Sequence, residues 1–133
     1  MGSLSNVCRE IVSDAPDAVG CGIVDLNTGM LLASHTTAAY FTQSYLDAVA
    51  AAALDMFRGK NVRRVEQLLG KHRGGTVKDT FEEIQVTSSN TFHFMKLMRS
   101  KGILVVLVTR TTSNLGMGWS SLRNAVLDIE ATM

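Results

Sequence analysis

FTQSYLDAVAAAALDMFR, residues 41–58, is apolar at helical spacing on two sides at once. At 3.6 residues per turn, Phe41, Tyr45, Ala48, Val49, Ala52, Ala53, Met56 and Phe57 form one apolar stripe. Leu46, Ala50 and Leu54 form a second, about 100° away by the same period, and Ala51 helps to join the two. Thr42, Gln43, Ser44, Asp47 and Asp55 supply the polar positions. A helix that is apolar over most of its circumference is covered on two sides. The alanine block 50–53 lets another backbone come near, which suits helix-on-helix packing. The helix is either the centre of a monomer or half of a subunit interface. A domain this small has few ways to bury one helix twice, so the balance favours the interface.

Outward from this helix, the chain alternates between two periodicities. Leu4, Val7, Cys8, Ile11 and Val12 recur at helical spacing, with Ser3 or Ser5 as cap and Asp14-Ala15-Pro16 as stop. Residues 18–24 (AVGCGIV) and 30–34 (MLLAS) are apolar strands, and Asp25-Leu26-Asn27-Thr28-Gly29 between them has the chemistry of a hairpin turn. After the long helix, Val62, Val65, Leu68 and Leu69 mark a short amphipathic turn or helix, and residues 70–75 (GKHRGG) read as a loop. Strands follow at 81–87, where Ile84 and Val86 oppose Glu83, Gln85 and Thr87, at 92–98, and at 103–108. The last, ILVVLV, is uniformly apolar and predicts a central strand with both faces covered. Leu115, Trp119, Leu122, Val126 and Ile129 form the stripe of a final helix, with Ser113 or Asn114 as its cap.

The bulk properties bound what this chain can be. The 133 residues fit a single domain, 1–133, which buries roughly two thirds of the surface its unfolded chain exposes. Formal net charge is +1, so the chain as a whole is no polyanion binder. Cys8 and Cys21 sit in apolar segments and argue against a disulfide framework. No stretch reaches the ~18 apolar residues of a membrane span, and no basic start precedes an apolar leader. A cytoplasmic location is the expectation.

The order of elements and two quoted stretches resemble the roadblock (dynein light chain) family. GIVDLNTGMLLAS (22–34) is similar to that family's first hairpin. ILVVLVTRTTSNLGMGWSSLRNAV (103–126) is similar to its last strand and helix, including the Asn114-Leu115-Gly116 step. The resemblance runs from about residue 4 to residue 129. It implies an α+β fold: a five-stranded antiparallel sheet with the long helix on one face and the two terminal helices on the other. It also implies a homodimer in which third strands pair edge to edge and long helices pack together. Carried onto this sequence, the dimer surface is Phe81, Glu83, Gln85 and Thr87 of the third strand with Leu46, Ala50 and Leu54 as an outer stripe. Bacterial members act on or with Ras-like small GTPases, and others are scaffolds in motor or signalling complexes.

One segment departs from the family. Residues 61–78 are longer than its usual link between long helix and third strand. In residues 58–78, Arg58, Lys60, Arg63, Arg64, Lys71, Arg73 and Lys78 stand against Glu66 alone, a net +6, so the remainder of the chain is acidic. Arg58, Arg63, Arg64, Lys71 and Arg73 are the candidate partner-binding residues. An acidic protein, a membrane surface, nucleic acid or plain solvent could meet them. The absence of aromatic residues there counts against nucleic acid.

Other chemistries find little support. Gly70, Gly74 and Gly75 lack a preceding strand and a Gly-Lys-Ser/Thr ending, and Gly116-x-Gly118 lacks a third glycine. His35, His72, His93 and the cysteines are scattered, so no metal site or cofactor is expected. No nucleophile elbow occurs, and no catalytic residue is assigned. The resulting expectation is a non-catalytic homodimeric adaptor that regulates a Ras-like small GTPase or signalling complex. The alternative is a small-molecule sensor whose cavity is lined by Gly20, Gly22 and methionines.

Overall fold

A computed structural model describes residues 3–75 and 77–133. Its centre is β5 (Ile103–Arg110), the middle strand of an antiparallel sheet ordered β2-β1-β5-β4-β3. The other strands are β1 (Ala18–Asp25), β2 (Leu31–Thr36), β3 (Glu83–Thr87) and β4 (Thr91–Met98). Successive side chains of β5 point to opposite faces. Ile103, Val105 and Leu107 enter one core, which α1 (Leu4–Asp14) and α4 (Leu115–Thr132) cover with Val7, Cys8, Ile11, Leu122, Ala125 and Ile129. Leu104, Val106 and Val108 enter the other, which α2 (Gln43–Arg58) covers with Ala50, Ala53 and Phe57. The arrangement of five antiparallel strands, one long helix and two terminal helices is as expected from sequence.

Local signals place the element ends. Ser3 Oγ accepts from Asn6 N–H at the start of α1, and Asn114 Oδ1 accepts from Met117 N–H at the start of α4. Asp25 Oδ1 accepts from Asn27 N–H in the first hairpin, and Gly29 takes the left-handed conformation, φ 74°. Thr42 rather than Phe41 begins the long helix, its Oγ1 accepting from Tyr45 N–H. Phe41 lies just outside and stacks on Tyr45 with centroids 4.9 Å apart.

Two expectations are corrected. Residues 70–73 are not a loop: α3 (Lys60–Arg73) runs through them and closes at Gly74, φ 70°, so that only Gly74 and Gly75 of the stretch are non-helical. Gly70 is buried because the returning chain crosses it, and a β-carbon there would lie 2.6 Å from the Gly75 carbonyl oxygen. The glycine marks a close approach, not a break. The second correction concerns α2. Leu46, Ala50 and Leu54 are not its outer stripe. Ala50 is 2% exposed, and Leu46 and Leu54 pack half-buried against the α2 core. The face left in water carries Ser44, Tyr45, Asp47, Ala48, Ala51, Ala52 and Asp55. The sheet side of α2 draws on both stripes, Ala53 and Phe57 from the first and Leu46, Ala50 and Leu54 from the second, while Tyr45, Ala48 and Ala52 of the first stay exposed.

Trp119 is half-buried against Phe94, edge to face at 5.2 Å, and Arg123 lies 5.8 Å over its ring. Beside it the Phe94 ring lies so close to Gly118 that any β-carbon at that position would overlap it. Gly118→Ala is therefore expected to lower the stability by about 1–3 kcal/mol through overpacking. Gly116→Ala, whose new methyl meets only the Asn114 side chain at 3.5 Å, should leave it unchanged or raised. Urea midpoints of the two variants measure the difference, and equal midpoints would show that α4 does not seat on Phe94.

Candidate protein-interaction surface

The polar groups that converge in this molecule do so where the chain returns from α3 to β3. Arg58, at the end of α2, forms a fork with Asp79: Nε donates to Oδ1 and Nη2 to Oδ2, each at 2.9 Å. The two side chains are 16% and 11% exposed. Asp79 has φ 53°, a left-handed conformation uncommon outside glycine. Glu66 of α3 is 4% exposed, and its carboxylate accepts from Thr80 N–H at 2.7 Å. Arg99 donates to the Asp79 carbonyl and, at 2.9 Å, to Glu82. Residues 79–82 are thereby tied to α2, to α3 and to the turn after β4. The Arg58 hydrogen bonds hold the Asp79 carboxyl below its ordinary pKa, against the opposing effect of burial. Arg58 is thus a structural cation, which removes it from the candidate partner-binding set.

On α3 the remaining cations are exposed. Arg63, Arg64 and Lys71 line an open groove of about 760 Å³ with Lys60, Asn61, Gln67 and Leu68, and Arg58 borders it. Arg73 is exposed but does not line the groove. Among the described residues no carboxylate lies within ion-pair distance of Lys60, Arg63, Arg64, Lys71 or Arg73. His72 belongs to α3 rather than to a loop. Sequence reasoning named neither Lys60 nor Leu68 as a contact residue, although both sit on the helical face of Arg64 and Lys71.

β3 forms one edge of the sheet. Leu97 N–H donates to the Glu82 carbonyl, at 2.8 Å, in the same register as the β3–β4 pairs. Antiparallel alternation then turns the backbone groups of Phe81, Glu83, Gln85 and Thr87 away from β4, toward the free edge. Their side chains have partners nearby: Glu83 meets Lys96 at 3.2 Å and Arg123 at 3.7 Å, and Gln85 Nε2 donates to Thr87 Oγ1. Ile84 and Val86 point to the other face and pack on the α2 core.

A cavity of about 40 Å³ lies beneath the first half of α2, lined by Gly20, Gly22, Leu31, Phe41, Tyr45 and His93, among others. The methionines expected there are elsewhere: Met95 and Met98 are buried in the two cores, and Met117 is exposed on α4. His93 Nδ1 is buried without a protein partner, and burial pushes the pKa of this imidazole down. Cys8 and Cys21 lie together in the core under α1. Donation of its S–H to Cys8, together with burial, raises the Cys21 thiol well above its ordinary value, which leaves it a poor nucleophile. Among the described residues no His, Cys, Asp and Glu cluster could hold a metal ion, and no helix is long and apolar enough to cross a membrane.

No family model and no curated protein matches the sequence. Solved structures do match. The Roadblock/LC7 domain from Streptomyces avermitilis superposes with a TM-score of 0.71 at 16% identity, covering 98% of each chain. MglB of Myxococcus xanthus gives 0.67 at 18% identity, over 92% of this chain and 80% of its own. An MglB with a tetrameric arrangement gives 0.64 at 20% identity, over 94% and 86%. The chain has the roadblock fold.

The Arg58–Asp79 fork yields a pH prediction. Asp79→Asn should cost about 2–3 kcal/mol at neutral pH, because it leaves a largely buried guanidinium without its anion. The Asp79 carboxyl titrates lower in the folded state than in the unfolded chain, where its pKa is about 3.9. Its contribution is therefore complete above that value and lost as pH falls through the folded pKa. Urea unfolding at neutral pH and at about pH 3 should show the two proteins converging in acid. A constant gap would refute the assignment.

Proposed function

We propose that this chain is a non-catalytic homodimeric adaptor that regulates or scaffolds a Ras-like small GTPase, or a signalling complex built around one, in the cytoplasm. The observation that carries this reading is the free backbone edge of β3, to which the exposed Ala48, Ala51 and Ala52 add a small-residue surface on α2. An unpaired strand edge pairs readily with a second copy of itself. The small side chains of α2 let a helix from that copy approach closely across the two-fold axis. Phe81, Glu83, Gln85 and Thr87 supply the edge. Leu46, Ala50 and Leu54 pack into the core under α2 rather than meeting the second copy. The tetrameric arrangement of one MglB is in keeping with self-association. The GTPase partner follows from the roadblock resemblance, and the surface offered to it is the two-fold face of the dimer.

The ligand-sensor reading has the cavity under α2 in its favour. Its volume of about 40 Å³ is far below the roughly 300–1,000 Å³ of ordinary small-molecule sites, so a ligand would first have to lift α2.

A proline at residue 85 removes an N–H that faces the free edge and spares the β3–β4 ladder. Gln85→Pro should shift the protein from dimer to monomer in multi-angle light scattering while its circular dichroism stays native. Pull-down of the unaltered chain from native lysate, with GDP and with a non-hydrolysable GTP analogue, should recover a small GTPase in one nucleotide state. A monomeric unaltered chain rejects the dimer. No GTPase in either state, from a lysate shown to contain one, rejects the regulator.

A further inference from the structure

We propose that the groove on α3 docks an acidic, leucine-bearing segment of a partner protein, at a site separate from the β3 edge. Lys60, Arg64 and Lys71 recur at i, i+4 and i+11 and so share one face of α3, with Arg63 flanking them. Leu68 lies on that face and is 54% exposed, and Val65 beside it is 44% exposed. The single acid of the helix, Glu66, is turned inward and accepts from Thr80 N–H, so it cannot neutralise the row. The rest of the chain, residues 1–57 and 79–133, carries six bases against eleven acids. A cationic row left unpaired in a chain otherwise acidic has its complement in a partner's carboxylates.

The site is also held in shape. Gly59, the one residue between α2 and α3, lies so close to the Asp55 carbonyl that a side chain there would overlap it. Glu66 ties α3 to Thr80, and the Arg58–Asp79 fork ties the end of α2 to the same returning segment. A pre-shaped groove spends little of its binding energy on ordering itself. Its composition chooses among anionic partners. Leu68 and Val65 offer too little apolar area for insertion into a lipid surface. No aromatic side chain lines the groove for stacking on bases.

A fluorescent synthetic peptide of glutamate pairs separated by leucines is the probe, followed by anisotropy. It should bind with a Kd of order 10 μM and weaken roughly tenfold between about 50 and 200 mM salt. Arg64→Glu with Lys71→Glu should abolish binding while circular dichroism stays native. Leu68→Ser should weaken it several-fold at unchanged charge, which attraction between bulk charges alone would not produce. Gln85→Pro should leave it intact, so the groove and the dimer edge succeed or fail separately. Equal binding by the charge-reversed variant, indifference to Leu68→Ser, or tighter binding to phosphatidylserine vesicles or duplex DNA than to the peptide would overturn the proposal.

Discussion

β5 carries six apolar side chains in succession, and alternation sends three of them to each side of the sheet. Neither set can be left in water, since each of these side chains is worth roughly 1.5–3 kcal/mol on burial. The chain must therefore supply a cover on both faces. It does so with different material: α1 and α4 together on one side, α2 on the other. The sheet order follows from the same demand. β1 and β4 flank β5 and share its double burial, while β2 and β3 are left at the rims. That leaves β3 with an open backbone edge.

What could be read beforehand was what local chemistry dictates. The Gly29 turn and the double burial of residues 103–108 follow from residue type and spacing within a few positions, as do the caps to within two candidates each, of which the fold uses Ser3 and Asn114. What could not be read depends on contacts between distant residues. Arg58 and Asp79 are twenty-one residues apart, and an aspartate in a left-handed conformation leaves no signature in its neighbours. Gly70 looked like a breaker because a glycine that lets a crossing chain approach and a glycine that ends a helix are the same letter. The orientation of α2 was ambiguous for a related reason. The sheet takes part of each apolar stripe, and no local signal says where it divides them. Of the candidate contact residues, Arg63, Arg64 and Lys71 stand together in the groove, whereas Arg58 is spent on Asp79 and Arg73 lies outside it.

The two proposed surfaces differ in how they would recognise a partner. The β3 edge offers directional backbone groups in a fixed register, which suits a copy of the same strand. The α3 groove offers charge and one leucine, which tolerates variation in the partner and responds to ionic strength. A molecule with both could hold its own assembly constant while its second contact is tuned by conditions.

The two thiols packed between α1 and β1 have a practical bearing on how that assembly is watched. Cys8 is fully enclosed and Cys21 nearly so, and α1 is the lid over both. An alkylating reagent can reach them only when the first helix peels from the sheet, so the rate of labelling is a clock for that excursion. The clock is built into the native chain, lies on the face opposite α2, and reads the looseness of the amino-terminal helix without any added probe.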